Sequence, residues 1–180
     1  METLCAFDSN TEVSGQAMLA MVDCMDSEHI APIMLKHGLS DKFDPDTWYP
    51  MQLWLDIFQE ILDQQGFQGT LNLVDIGRRY ADTAILPEDV GTLDDAIIAV
   101  NDTYQLNHRN GYAGEMSIVI MGDGNMQVID HTPYPCDFTY GMLYGLAHRF
   151  KKERRSPIVS HDNSSCRKRR DDTCTYNISW

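Results

Sequence analysis

The spacing of apolar residues changes period twice along this chain, and no other feature constrains the fold as strongly. Up to about Asn110 the apolar residues recur every three to four positions, the period of an amphipathic helix. Between Glu115 and Asp130 they alternate in two runs, Ser117-Ile118-Val119-Ile120 and Met126-Gln127-Val128-Ile129. Gly122-Asp123-Gly124-Asn125 separates them with the residues of a tight turn, so the two runs predict a hairpin. From Cys136 to about Lys152 the helical period returns, with Phe138, Met142, Leu146 and Phe150 aligned. Ile158–His161 and Cys174–Trp180 read as two further strands. This order predicts an α+β fold: an N-terminal helical layer packed on a short antiparallel β-sheet crossed by a C-terminal helix. No repeat or low-complexity linker divides the 180 residues. One domain is expected, with 1–110 mainly helical and 111–180 carrying the sheet.

Punctuation residues set the expected helices. The first ten residues are expected to fray. Ser14 can cap a helix to about Met25, and Ser27 a second one that Gly38 ends in a left-handed conformation. Asp44-Pro45-Asp46 reads as a helix start. Pro50–Gln65 is the clearest amphipathic segment, with Met51, Trp54, Leu55, Phe58, Ile61 and Leu62 in one stripe. Leu71–Leu86 reads as another helix, stopped by Pro87. Thr92-Leu93-Asp94-Asp95 is a capping box that opens a helix running to His108. Gly141 and Gly145 each weaken the C-terminal helix by roughly 1 kcal/mol relative to alanine. They predict that another backbone or a ligand packs closely there.

Charge is divided unevenly. Residues 1–148 carry 5 Lys/Arg against 23 Asp/Glu, whereas 149–180 carry 9 against 4. The acidic bulk repels phosphates, which argues against a nucleic-acid surface. No apolar run reaches the roughly 18 residues of a membrane span. No signal-peptide pattern opens the chain. Five cysteines, an odd number, fit thiols in a reducing, cytoplasmic setting better than a disulfide framework.

Three of those cysteines fall in the C-terminal region. Cys136 begins a helix, where unpaired N–H groups favour a thiolate. Cys166 and Cys174 flank Arg167-Lys168-Arg169-Arg170 and can meet at the base of a loop between strands. Three such positions could hold a soft tetrahedral ion such as zinc, with Glu115, His131 or His161 as fourth ligand. Buried, unreactive thiols and a nucleophilic Cys136 are the other readings. No dinucleotide fingerprint, phosphate loop or nucleophile elbow is present.

The C-x₇-C run from Cys166 to Cys174, followed by Thr175-Tyr176, resembles the C-terminal signature of the 4-vinyl reductase domain family. Cys136-Asp137-Phe138-x-x-Gly141 resembles the Cys-bearing helix start of that family. The likeness covers mainly residues 110–180. These are hydrocarbon-binding domains related to the haem NO-binding fold. The resemblance implies an apolar cavity between a helical layer and the sheet, and a zinc held by Cys136, Cys166, Cys174 and Glu115. Where the family usually has glycine, four residues after the first cysteine of the pair, this chain has Arg170. A non-glycine residue is strained at positive φ, so the departure predicts a differently shaped loop. The superfamily also implies a haem alternative, with His108 as ligand. The Tyr-x-Ser-x-Arg propionate clamp of the haem relatives is missing.

The expected function is a non-enzymatic sensor or carrier of a small apolar or aromatic ligand, with a structural zinc. Trp54, Phe58, Tyr104, Phe138 and Met142 are the candidate pocket residues, and a signalling partner or a homodimer would read the bound state. A haem-binding gas sensor using His108, a tetrapyrrole-related reductase or accessory protein, and a pure interaction protein are the alternatives.

Overall fold

The structure is a computed structural model that describes residues 3–39, 43–65, 67–151, 156–162 and 164–180. Among the described residues, seven α-helices and seven strands follow the period changes of the sequence. A short strand β1 (Glu12–Ser14) leads into helix α1 (Gly15–Val22), and Ser14 caps that helix by accepting from the Ala17 amide. Helix α2 (Ser27–Lys36) follows. Its cap is Asp26, one residue before the expected Ser27, because the Asp26 carboxylate accepts from Glu28 N–H. Gly38 closes it at φ 74°.

Strand β2 (Trp48–Pro50) replaces the helix start expected at Asp44-Pro45-Asp46. Helix α3 (Met51–Gln65) matches the amphipathic stripe closely, and α4 (Phe67–Thr83) begins earlier than its pattern suggested. The capping box of Thr92 and Asp95 opens α5 (Leu93–Ile98), but the chain breaks at Ala99 into α6 (Val100–Leu106). His108 therefore lies past the helix, in strand β3 (His108–Arg109). β1 pairs with both β2 and β3 in a small antiparallel sheet, with Val13 opposite Tyr49 and His108. The fraying expected of the first ten residues is not found from Leu4 onward. Leu4 and Ala6 N–H donate to Gln59 and Gln52 of α3.

The second half follows the expected order. Strands β4 (Glu115–Gly122) and β5 (Asn125–His131) form the hairpin, α7 (Cys136–Arg149) crosses the sheet, and β6 (Ile158–Asp162) and β7 (Cys174–Ser179) complete it. The expected helix end at Lys152 lies outside the described residues. All neighbours in the sheet are antiparallel, in the order β4-β5-β7-β6. The helical layer covers one face, and two apolar clusters meet at Tyr80 and Tyr104.

Helices α4 and α7 form the central contact, and their glycines make it possible. A Cβ on Gly141 would overlap the Val74 carbonyl, and one on Gly145 would stand 2.6 Å from the Arg78 carbonyl oxygen. The helix-weakening residues of α7 are thus the positions where another backbone lies against it.

Candidate functional site

A cavity of about 60 Å³ lies among α1, α4, α6, α7 and β4. Its walls are mostly apolar, and three of them are methionines, Met21, Met116 and Met142. Tyr104, Phe138, Met142 and His108 face it. Trp54 and Phe58 do not. Both are completely buried, with rings edge-on at 5.0 Å, and Phe58 packs 5.4 Å from Phe138. They belong to the core behind the cavity wall. An inward-facing stripe shows which residues are buried but cannot separate a wall from the layer behind it.

His108 is the principal polar group of the cavity, and its hydrogen bonds settle its tautomer. Nδ1 lies 2.7 Å from the Tyr104 carbonyl oxygen, which can only accept, so Nδ1 carries the proton. Nε2 then presents its lone pair, and the Tyr134 hydroxyl donates to it at 3.0 Å. Burial lowers the His108 pKa to about 4, so the ring is neutral. Burial likewise pushes the phenols of Tyr104 and Tyr134 upward. The pair is a buried, uncharged donor–acceptor unit at the edge of an apolar space. Tyr134 had no periodicity to mark it. The sequence signal was its position between Pro133 and Pro135, which hold the chain extended across the cavity end.

The second cluster lies at the N-terminal end of α7, which begins two residues after Tyr134. The sulfurs of Cys136, Cys166 and Cys174, all buried, lie within 4.8 Å of one another, and those of Cys166 and Cys174 are 3.9 Å apart. Cys136 stands at the first position of α7 and Cys174 at the first position of β7. Cys166 precedes a 3-10 turn (Arg167–Arg169). Arg170 takes the left-handed conformation at φ 73°, the one that glycine would otherwise supply, and the cysteines converge. The cysteines thus converge with Arg170 in place of the expected glycine.

Arg167 organises this cluster. Its backbone N–H and Nε donate to Cys174 Sγ at 3.4 and 3.5 Å, and its Nη2 reaches Asp130 Oδ2 at 2.8 Å. Donation by the Cys136 thiol, then by Arg167, lowers the Cys174 pKa to about 4. Cys136 moves upward because it is the donor to Cys174 and is buried, and burial also raises Cys166. One thiolate thus sits between two thiols and a guanidinium. Asp130 is completely buried opposite Cys174, and burial raises its pKa against the pull of Arg167. Lys168 pairs with Asp137 at 2.6 Å. The sequence marks the basic run only as a whole, and the contact with Asp130 singles out Arg167 from it.

The donor set fits zinc. Zn–S bonds of about 2.3 Å in a tetrahedron place sulfurs roughly 3.8 Å apart, close to the separation of Cys166 and Cys174. Glu115 is not part of the group. It stands exposed at the first position of β4, opposite His131. His131 instead stacks on Phe7, and His161 on Tyr176.

Neither a protein-family model nor a curated protein matches the sequence. Solved structures do. An H-NOX protein from S. oneidensis, in its Fe(II)NO state, superposes with a TM-score of 0.71 at 12% identity, over 92% of this chain and 98% of that one. An oxygen-binding H-NOX domain related to soluble guanylate cyclases superposes with a TM-score of 0.63 at 10% identity, over 92% and 91%. The fold is that of the H-NOX domains. A helical layer on an antiparallel sheet, with a crossing helix, is the H-NOX fold realised by a different sequence. The expected relation to the haem NO-binding fold therefore holds, while membership of the 4-vinyl reductase family stays an inference from the cysteine pattern. Among the described residues, no helix is long and apolar enough to cross a membrane.

The residues of this H-NOX fold do not fit a haem as they stand. Ligand pockets typically measure about 300–1,000 Å³, several times the cavity here. Among the described residues no lysine or arginine lines it to meet propionates, and the Nε2 lone pair of His108 already accepts from Tyr134.

Proposed function

We propose that this chain is a sensor domain that encloses a small, largely apolar molecule carrying one hydrogen-bonding group. The observation that carries the reading is the neutral His108–Tyr134 pair at the edge of an apolar cavity. A ligand hydroxyl could replace the Tyr134 hydroxyl at Nε2, so binding would exchange one buried hydrogen bond for another at little cost. An apolar cavity of about 150 Å³ holds a benzene ring, so an aromatic ligand requires expansion. The three wall methionines are the side chains suited to that, being unbranched and adaptable. A change in wall packing would shift a conformational equilibrium that a partner reads. Binding rather than turnover is the proposed role.

Cys136, Cys166 and Cys174 would hold a zinc that ties the start of α7 to the loop and to β7. Zinc would supply a rigid cross-link there, two residues along the chain from Tyr134.

The test is nuclear magnetic resonance of the zinc-loaded protein with phenol and with benzene. Saturable shifts at His108 and Tyr134 with phenol, weakened in His108→Ala, support the reading. The absence of shifts with either probe refutes it. A second reading, haem ligation by His108, is favoured by the H-NOX fold and by the buried imidazole, and it requires the cavity to enlarge and Tyr134 to release Nε2. Haem added to the metal-free protein then gives a Soret band that His108→Ala abolishes.

A further inference from the structure

We propose that a cleft beside the cavity is its entrance, and that the turn following α1 is the gate between them. The cleft encloses about 730 Å³ and lies where α2, α3 and α4 meet the end of α1. That volume is within the range of ligand pockets. Its floor is apolar and consists of the buried Ile30, Ile33, Ile61 and Ile76. The exposed side chains of Asp26, His29, Asp75 and Arg79 stand at its rim.

Cleft and cavity lie end to end along the same two segments. Met21 lines the cavity, and Cys24 lines the cleft one turn later. On α4 the order is reversed: Ile76 lines the cleft, and Tyr80 lines the cavity one turn later. Residues three or four apart share a helix face. A single seam of side chains, Met21 and Cys24 against Ile76 and Tyr80, therefore separates the two spaces. Its polar tie is the Cys24 thiol beside Thr83, and a thiol is a weak donor.

Of the elements around the cavity, this turn is the least tied. α4 is clamped to α7, because a Cβ on Gly77 would overlap the Phe138 carbonyl just as one on Gly141 would overlap that of Val74. At the far end of the cavity, beside Ala84 and Leu86, Arg149 of α7 donates to the Ala81 and Ala84 carbonyls at 2.8 and 2.9 Å. Asn101 of α6 accepts from the Met116 amide of β4. α1 is anchored at its start, where Ser14 and Gly15 N–H donate to the Asn107 and Thr47 carbonyls. At its end, Asp23, Cys24 and Met25 N–H donate back to Leu19, Met21 and Val22. A swing of this turn keeps those backbone bonds and parts the seam. An apolar molecule can then leave water for the isoleucine floor and pass Met21, an unbranched side chain that adapts readily, towards His108.

Exchange of xenon and of phenol, followed by nuclear magnetic resonance of the full chain, tests the route. It concerns the cavity of the proposed function, and xenon separates the two readings because it enters apolar cavities without a hydrogen bond. Cys24→Trp sets an indole ring in the cleft and outside the cavity. It is expected to slow entry and exit of both probes by one shared factor, on the order of tenfold, with Kd unchanged. Met25→Trp, from a half-buried position on the same cleft wall, should act alike and serves if Cys24→Trp does not fold. Ile85→Trp, at the far end of the cavity, should change neither rate. In the ligand-free wild type, the Met21 methyl should show microsecond-to-millisecond exchange that the sheet lacks. Unchanged rates in the cleft variants, slowing in Ile85→Trp, a static Met21 methyl, or a cavity that xenon does not reach would each overturn the route. Xenon entry that follows the prediction without phenol binding would sustain the route and refute only the phenol reading.

Discussion

The Tyr134 hydroxyl donates to Nε2 of His108 across 3.0 Å, and the histidine has no charge with which to answer it. Burial holds the imidazole neutral, and the bond should add to this because it uses the lone pair that a proton would take. Tyr134→Phe removes the donor and leaves Nε2 buried and unpaired. The loss should cost about 1 kcal/mol of stability and raise the His108 pKa from its value of about 4, by roughly one unit. Titration of the imidazole by nuclear magnetic resonance checks this, and an unchanged pKa in Tyr134→Phe would show that the hydrogen bond does not hold the ring neutral.

His108 also predicts the acid limb of stability. Its pKa is about 4 in the folded chain against an ordinary value of 6.5. The unfolded chain therefore takes up a proton at higher pH than the folded chain. Stability is complete above pH 6.5, falls as pH drops towards 4, and loses nothing further from this group below that. The loss is on the order of 3 kcal/mol. Glu60 and Asp75 are also shifted downward, by hydrogen bonds from Lys36 and Arg78 respectively, but from the carboxylate range, so their losses begin only near that range. Urea midpoints measured across this range should slope in the wild type and flatten in His108→Gln. Parallel curves for the two proteins would remove His108 as the cause.

These predictions also mark what the sequence could reveal. The period changes exposed the hairpin and α7, and the capping box of Thr92 and Asp95 placed α5, because each is a local pattern with a local cause. β1, β2 and β3 were invisible. Each has two or three residues, and their pairing joins Val13 to Tyr49 and His108, which are far apart in sequence. The three thiols could be read together from the family likeness, whereas Asp130 and Arg167 meet only through the β5–β7 register. Ser14, the N-cap of α1, and Gly38, the close of α2, were legible because each acts within one turn of its own helix.

The thiol cluster predicts metal-dependent stability. Zinc-loaded protein should contain one zinc per chain. Cys166→Ser and Cys174→Ser should each lose it and melt several degrees lower, because the cross-link between α7 and β7 is gone. Elemental analysis and calorimetry read both. Serine variants that keep both zinc and melting temperature would show that the thiols hold no ion.

Asp130 is wholly buried and depends on Arg167, which is itself 13% exposed. Arg167→Met leaves an uncompensated carboxylate in the core, a change that typically costs about 3–5 kcal/mol. Asp130→Asn in the same chain removes the stranded charge while its oxygen can still accept from Thr132 N–H, as Asp130 does now. The double variant should therefore regain most of the loss in denaturant unfolding. A double variant as unstable as Arg167→Met would mean that Arg167 acts through Cys174 instead.

The α4–α7 contact gives the sharpest steric prediction. On helix propensity alone, Gly141→Ala should stabilise α7 by roughly 1 kcal/mol. The added methyl would, however, overlap the Val74 carbonyl, a backbone atom that cannot move without the whole of α4. Packing should win, because over-filling a tight helix contact costs typically 1–3 kcal/mol or more and here also displaces backbone. Gly141→Ala is expected to lower the melting temperature, while Gly91→Ala, which meets nothing within 4 Å, should leave it nearly unchanged. Calorimetry on the two variants separates the effects. If Gly141→Ala melts no lower than the wild type, α4 and α7 are farther apart than their glycines allow.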